Sequence, residues 1–259
     1  MRIDEDPASR YEPRTVRSVS HAVELLRLLA RAQAPLTLSV LSRRIGLSKP
    51  AVYNLMNSLV FEGLAQRDPT GGYRLGWTAY ELAGRVAEAR ELAEAARFAL
   101  MELAGEVPGA ALLSVIDHDG VLYVDREQED PAFVTLATIG HRSPLHATAS
   151  GKALLAGLPD REVRRVLSGP LSPSTTATIT EPRALAADLQ RVRAEGYAVC
   201  WGEHEPALAS LAVPVVGKGG RAGAALAVAV DASMLRRISP ARIVARLQKA
   251  ADAVRSGWH

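Results

Sequence analysis

Apolar positions along the first third of the chain mark three helices and a short alternating segment. Ala22, Leu25, Leu26 and Leu29 recur at helical spacing behind Ser18 and Ser20, either of which can cap that helix. Leu38, Leu41 and Ile45 form a second stripe after Thr37, closed by Gly46 and Leu47, where glycine supplies the left-handed residue the turn needs. Ser48 then caps a third helix with Pro50 in its first turn. Its inward stripe reads Val52, Leu55 and Leu59, while Pro50, Tyr53, Asn54 and Asn57 share the opposite face. Gly63 closes this helix. Residues 64–67 and 73–75 read as strands, and Asp68, Pro69 and Gly71 between them take the first, second and fourth positions of a type I turn. Three helices followed by a two-stranded wing predict a winged helix-turn-helix over residues 14–76.

Past the wing, Thr78 to Glu81 reads as a capping box. The following stripe of Leu82, Val86 and Ala89 has nothing to pack on within a minimal winged helix, which suggests a linker helix that pairs with a second copy of itself. A second helical stretch, 92–104, stops at Gly105. The pattern then changes to strands at 111–116 and 121–126, joined by the hairpin signal Asp117-His118-Asp119-Gly120, with a third strand at 133–139. Helices follow at 151–158, 160–167 and 181–195, then strands at 211–216 and 222–230 joined by 217–221. A last helix opens on Ser239-Pro240 and runs to about residue 256. Strand hairpins at both ends with helices between predict an α+β domain. The expected division is a disordered arm at 1–13, the winged helix at 14–76, linker helices at 77–105 and a second domain at 106–259.

Charge sharpens this picture. Residues 14–76 hold nine Lys/Arg and three acids, a net of +6, whereas the whole chain carries only +3. The positive charge is concentrated on the predicted winged helix, the footprint expected of a nucleic-acid-binding unit. Asparagines are apt for base edges, because one amide can donate and accept at once to an adenine. Lys49, Tyr53, Asn54 and Asn57 are therefore the candidate groove contacts, and Arg43, Arg44, Arg67 and Arg74 the candidate phosphate contacts. The alternative is a winged helix that docks other proteins.

Nearly half of the residues, 48%, are apolar, and the apolar runs, such as 222–230, are too short to span a bilayer. The first residues are rich in acid and proline and carry no apolar signal region, which predicts a cytoplasmic protein. The single cysteine, Cys200, excludes an internal disulfide and a cysteine-rich zinc site.

The candidate chemistry of the second half is sparse. Gly151-Lys152 fails as a phosphate loop, since His146 stands where the first glycine belongs and Ala153 where Ser or Thr belongs. Cys200, Glu203, His204 and Glu205 match no metal spacing, and His21, His118, His141 and His259 are scattered. No nucleophile, base and orienting group can be recognised together, so the reading is of a non-enzyme with no cofactor; an enzyme with an accessory winged helix is the remaining alternative. Ala149, Ser150, Gly151 and Lys152 sit where a loop enters a helix. Exposed N–H groups and the helix dipole make such a place an anion site, to which Ser150 and Ser210 could add hydroxyl donors. The competing explanation is that these small residues let the helix pack on the sheet.

The chain resembles the IclR family of bacterial transcriptional regulators. The resemblance rests on Ile45-Gly46-Leu47-Ser48-Lys49 with Val52-Tyr53, and on Gly72-Tyr73-Arg74-Leu75-Gly76. In the second half it rests on residues 145–156, from Leu145-His146-Ala147 through Gly151-Lys152 to Ala156, and on Leu211-Ala212-Val213-Pro214-Val215. It implies an N-terminal winged helix-turn-helix, a linker helix and a C-terminal effector domain related to the GAF and PAS sensor fold. It also implies homodimers, often paired into tetramers, binding double-stranded operator DNA under the control of a small, usually carboxylate, effector. The resemblance places effector-pocket residues at Ala149, Ser150, Cys200, Leu208, Ser210, Ala227 and Ala229, with Gly151 beside them. Relatives carry Arg where Asn54 stands, so operator sequence does not transfer. They also carry serines in place of Ala227 or Ala229 and an acid in place of Cys200. The pocket is therefore expected to be more apolar, suited to a larger or aromatic carboxylate.

Overall fold

The computed structural model describes residues 15–217 and 222–258, so the expected arm at 1–13 and His259 lie outside the described residues. The chain divides into two compact units, 1–87 and 88–259. Among the described residues no helix is long and apolar enough to cross a membrane.

The first unit holds α1 (Arg17–Ala30), α2 (Leu38–Ile45), α3 (Lys49–Phe61), β1 (Ala65–Arg67), β2 (Tyr73–Leu75) and α4 (Trp77–Ala83). Its core is Leu25, Leu29, Leu41, Val52, Met56, Leu59, Ala65 and Tyr73. Met56 rather than Leu55 completes the inward stripe of α3, because the positions i, i+4 and i+7 from Val52 face the core and Leu55 falls at its half-buried edge. Thr37 caps α2 by accepting from Val40 N, and Ser48 caps α3 by accepting from Ala51 N. Gly46 adopts φ +74 between them, and Ser42 Oγ donates to Leu47 O at 2.5 Å, which ties the turn. The wing is antiparallel, with Gln66 opposite Arg74. Gly71 N donates to Asp68 O at 2.9 Å and Thr70 N to Asp68 Oδ1 at 2.7 Å, the turn its sequence predicts.

Two caps differ from expectation. Helix α1 starts at Arg17 behind Val16, without a side-chain cap from either serine. Helix α4 starts at Trp77 behind Gly76, so Thr78 lies inside it and no capping box forms. The helix thus starts two residues early, from Gly76, where a Cβ would strike the Gly63 carbonyl and only glycine fits.

Helix α5 (Ala87–Glu106) leads into the second unit and runs through Gly105 rather than stopping there. Then come β3 (Gly109–Asp117), β4 (Gly120–Gln128), β5 (Arg142–Pro144), α6 (Ala149–Ala156), α7 (Asp160–Leu167) and α8 (Pro182–Glu195). β6 (Ala198–Trp201), β7 (Leu208–Val216), β8 (Ala222–Asp231), α9 (Ala232–Leu235) and α10 (Pro240–Gly257) complete it. The six strands form one antiparallel sheet in the order β5-β4-β3-β8-β7-β6. Strand periodicity divides the core in two. Ala111 and Leu113 of β3, with Leu226 and Val228 of β8, pack on α5 and α10. Ala110, Leu112, Ala227 and Ala229 face the other way, toward α6, α7 and α8.

Residues 133–139 are not a strand. Their backbone finds a partner elsewhere: Leu136 N donates to the Glu205 carboxylate at 2.9 Å, and Thr135 Oγ1 donates to its other oxygen at 2.5 Å. A carboxylate here does what a neighbouring strand would otherwise do, and the short β5 supplies the sheet edge instead.

Candidate nucleic-acid interface and effector cavity

In the first unit, the polar face of α3 is open to solvent. Lys49 and Asn54 are exposed, Tyr53 keeps 43% of its surface, and Asn57 is half-buried. Arg43 and Arg44 are exposed in the last turn of α2, Arg67 at the end of β1 and Arg74 on β2. All eight candidate DNA contacts therefore belong to one small unit, presented by its second and third helices and its wing. Arg67 differs from the other cations in being engaged already: its guanidinium lies against the Tyr53 and Tyr73 rings and donates to Asn57 Oδ1 at 3.1 Å.

In the second unit, strand register gathers the residues on which the ligand site was expected. Cys200 of β6 pairs with Ser210 of β7, which pairs with Ala229 of β8, while Ala227 pairs with Leu112 of β3. The first three form a row on the face that meets α6. Above it lies a cavity of about 410 Å³ of atom-free space, counting its open mouth. Ala149, Ser150, Cys200, Leu208, Ser210, Ala227 and Ala229 all line it. Gly151 does not. A Cβ there would run into the backbone of Leu145, so this glycine serves close packing of α6 rather than the cavity wall.

Seven further residues line the cavity that the sequence did not place there: Leu112, Tyr123, Thr135, Ala137, Thr148, His204 and Glu205, the last two weighed only as metal ligands. Leu112 and Tyr123 carried a signal, since strand alternation places them on the same face as Ala227. Thr135, Ala137 and Glu205 carried none, because only the tertiary bond between Glu205 and the 133–139 loop brings them there.

The polar wall is mostly neutral. Burial raises the Tyr123 phenol to about 12, despite a hydrogen bond from Ser143. Burial and then the Glu203 charge raise the Cys200 thiol to about 11, and that thiol donates to Ala147 O at 3.2 Å. Such a thiol is a poor nucleophile. Burial also lowers His204, whose Nε2 and Nδ1 lie 3.1 Å from Ser143 Oγ and 3.3 Å from Ser174 Oγ. The charged member of the wall, Glu205, is occupied by Thr135 and Leu136. At the α6 mouth, Thr148 Oγ1 accepts from Gly151 N at 3.1 Å, leaving the Ala149 and Ser150 N–H groups as the first amides of the helix. The cavity thus offers apolar floor, neutral hydroxyls and the positive end of a helix dipole. Lys152 is turned away from it and fully buried, its Nζ 2.5 Å from Glu203 and 3.0 Å from Asp188. Among the described residues no group of three His, Cys, Asp or Glu could hold a metal ion.

Comparison with known proteins accounts for both units. The IclR helix-turn-helix domain matches residues 18–69, and the C-terminal domain of bacterial transcriptional regulator IclR matches residues 84–256. The HTH-type transcriptional regulator XynR of Escherichia coli is 30% identical over 241 residues, 92% of this chain and 96% of the relative. The HTH-type transcriptional regulator BhcR of Paracoccus denitrificans is 31% identical over 245 residues, 93% of this chain and 85% of the relative. An IclR homologue from Microbacterium hydrocarbonoxydans, solved in complex with 4-hydroxybenzoate, superposes with a TM-score of 0.82 at 27% identity, covering 93% of this chain and 98% of that one. These matched domains and relatives are transcriptional regulators, not enzymes. With a helix-turn-helix DNA-binding domain and a C-terminal effector domain, the chain belongs to the IclR family of bacterial transcriptional regulators.

Proposed function

We propose that this chain is a homodimeric regulator whose operator affinity is set by an aromatic carboxylate held in the cavity between α6 and the sheet. The observation that carries the reading is the composition of the cavity wall. Leu112, Ala137, Leu208, Ala227 and Ala229 suit an aromatic ring, and the Ala149 and Ser150 amides with the Ser150 and Ser210 hydroxyls suit its carboxylate. Among the described residues the wall holds no Lys or Arg, so the helix dipole and neutral donors complement the anion. The 4-hydroxybenzoate bound by the Microbacterium homologue supports the same ligand class.

The two copies of α3 enter successive major grooves of a palindromic operator, with half-sites about one helical turn or a multiple apart. Arg43, Arg44 and Arg74 meet phosphates there. Effector and operator are linked: a ligand that favours one arrangement of the protein changes DNA affinity, and DNA changes ligand affinity by the same factor. The segment from Trp77 to Ala104 is the covalent route for that coupling.

The test is an anisotropy titration against DNA from upstream of the chain's own gene, with 4-hydroxybenzoate, other aromatic acids and short aliphatic acids. An aromatic acid should shift operator affinity by roughly 5- to 150-fold, the usual range of coupling. A shift given only by short aliphatic acids would overturn the aromatic assignment. Equal ligand affinity with and without operator would overturn the coupling.

A further inference from the structure

The winged unit contains a strut between wing and helix. Arg67, the last residue of β1, places its guanidinium carbon 5.6 Å from the centre of the Tyr53 ring and 5.4 Å from that of Tyr73. Its Nη2 donates to Asn57 Oδ1 at 3.1 Å. Tyr53 and Asn57 are one turn apart on α3, whereas Tyr73 is anchored in the core at 4% exposure. The Tyr53 phenol is held below its ordinary range by hydrogen bonding to Asn57 first and to Arg67 second. The Asn57 amide is engaged at its oxygen by Arg67. An asparagine whose oxygen is held by a guanidinium of its own wing is fixed in orientation and less free to present the paired donor and acceptor that an adenine edge needs. Asn54, on the same face and exposed, has no side-chain hydrogen-bond partner among the described residues.

We propose that Arg67 is a positioning residue and not a phosphate contact: with Asn57 it braces α3 against the wing, and base discrimination falls to Asn54 and Lys49. This rests on α3 being the groove helix. A planar guanidinium is needed for the role, because it stacks between two rings and forks toward an amide, which a lysine ammonium does not do. Arg74, exposed on β2 and outside this cluster, remains the wing's phosphate contact.

The full-length dimer is tested on its operator and on a scrambled duplex of the same length, across a salt series, with thermal melts to confirm folding. Arg67→Ala and Arg67→Lys should each weaken operator binding by about tenfold, from one lost hydrogen bond and two lost ring contacts. Scrambled DNA should be bound as before, and the salt slope should stay at the parent value. A fall in slope of about 0.9 with Arg67→Ala, restored by Arg67→Lys, is the signature of a phosphate contact and overturns the proposal. Asn57→Ala should weaken operator binding without changing preference at any one base pair, and loss of preference at a single base pair would likewise overturn it. Asn54→Ala separates the two levels. It should relax preference at one base pair; if it relaxes none, α3 is not the reader and the proposal falls with that reading. If it relaxes one while Arg67→Lys binds like the parent, the strut alone is wrong.

Discussion

Helices α3 and α6 begin alike and end in opposite environments. Each follows a hydroxyl cap that takes the N–H three residues on, Ser48 to Ala51 and Thr148 to Gly151. Each carries one lysine, Lys49 and Lys152. Yet α3 buries only Val52, Met56 and Leu59 and leaves its polar face open, while every residue of α6 from Ala149 to Leu155 is buried. The lysine at the start of α3 is free to meet a phosphate or a base. The one inside α6 is locked between Glu203 and Asp188. A helix that must read another molecule keeps its charge in water until the partner arrives. A helix that forms the wall of a cavity neutralises its charge within the fold and offers its backbone instead.

The largest expected effect that sharpens this contrast is Lys152→Met set against Lys49→Met. Removing Lys152 leaves Glu203, 7% exposed, without its cation, and should cost about 3–5 kcal/mol in denaturant unfolding. Lys49→Met, at an exposed site, should stay within about 0.5 kcal/mol of the parent. Acidity adds a second reading. In the parent, burial pushes Asp188 up, but hydrogen bonds from Arg191 and Lys152 outweigh it and hold the group below its ordinary value. That contribution is present above the unfolded carboxylate range and is lost as pH falls through the lowered value. Equal stability losses in the two lysine variants would show the buried triad to be inconsequential.

Next in size is Gly151→Ala. The added methyl would overlap the Leu145 backbone, which cannot yield as a flexible side-chain tip does, so α6 and the connection that precedes it must move apart. The expected cost is roughly 1–3 kcal/mol, with effector affinity falling as a consequence of that shift. A variant of parental stability that loses only ligand affinity would return Gly151 to the cavity wall.

What was legible in the sequence follows the same contrast. In the first unit, each apolar stripe has a single buried face, so period located α1, α2 and α3, and turn residues located the wing. Within those stripes the misplacement, Leu55 for Met56, lies between neighbouring positions at the stripe's edge, and the caps of α1 and α4 are the other departures. In α6, residues apolar on all sides give no period, and the helix was expected two residues late. The lysine amid Ala153, Leu154 and Leu155 was the visible sign of a buried ion pair, but nothing local points to Asp188 and Glu203, which lie 36 and 51 residues away. Residues 133–139 alternate like a strand, and only Glu205, brought in by the β6–β7 connection, explains why they are not one. Strand β6, four residues long, fell below what alternation can resolve.

The smallest and most direct comparison is between the two caps themselves. Ser48 is exposed and its bond to Ala51 N is long, at 3.4 Å, so water can replace much of what Ser48→Ala removes. Thr148 is 5% exposed, accepts from Gly151 N at 3.1 Å and donates to Pro144 O at 3.0 Å. Its loss strands a buried donor and a half-buried acceptor together. Thr148→Ala should therefore cost about 2 kcal/mol and Ser48→Ala about 0.5 kcal/mol, at the two ends of the range for hydroxyl caps. Chemical denaturation of the two variants measures both. If the two losses are equal, the environment of a helix start does not set the worth of its cap in this protein, and the division between a reading helix and a walling helix loses its energetic basis.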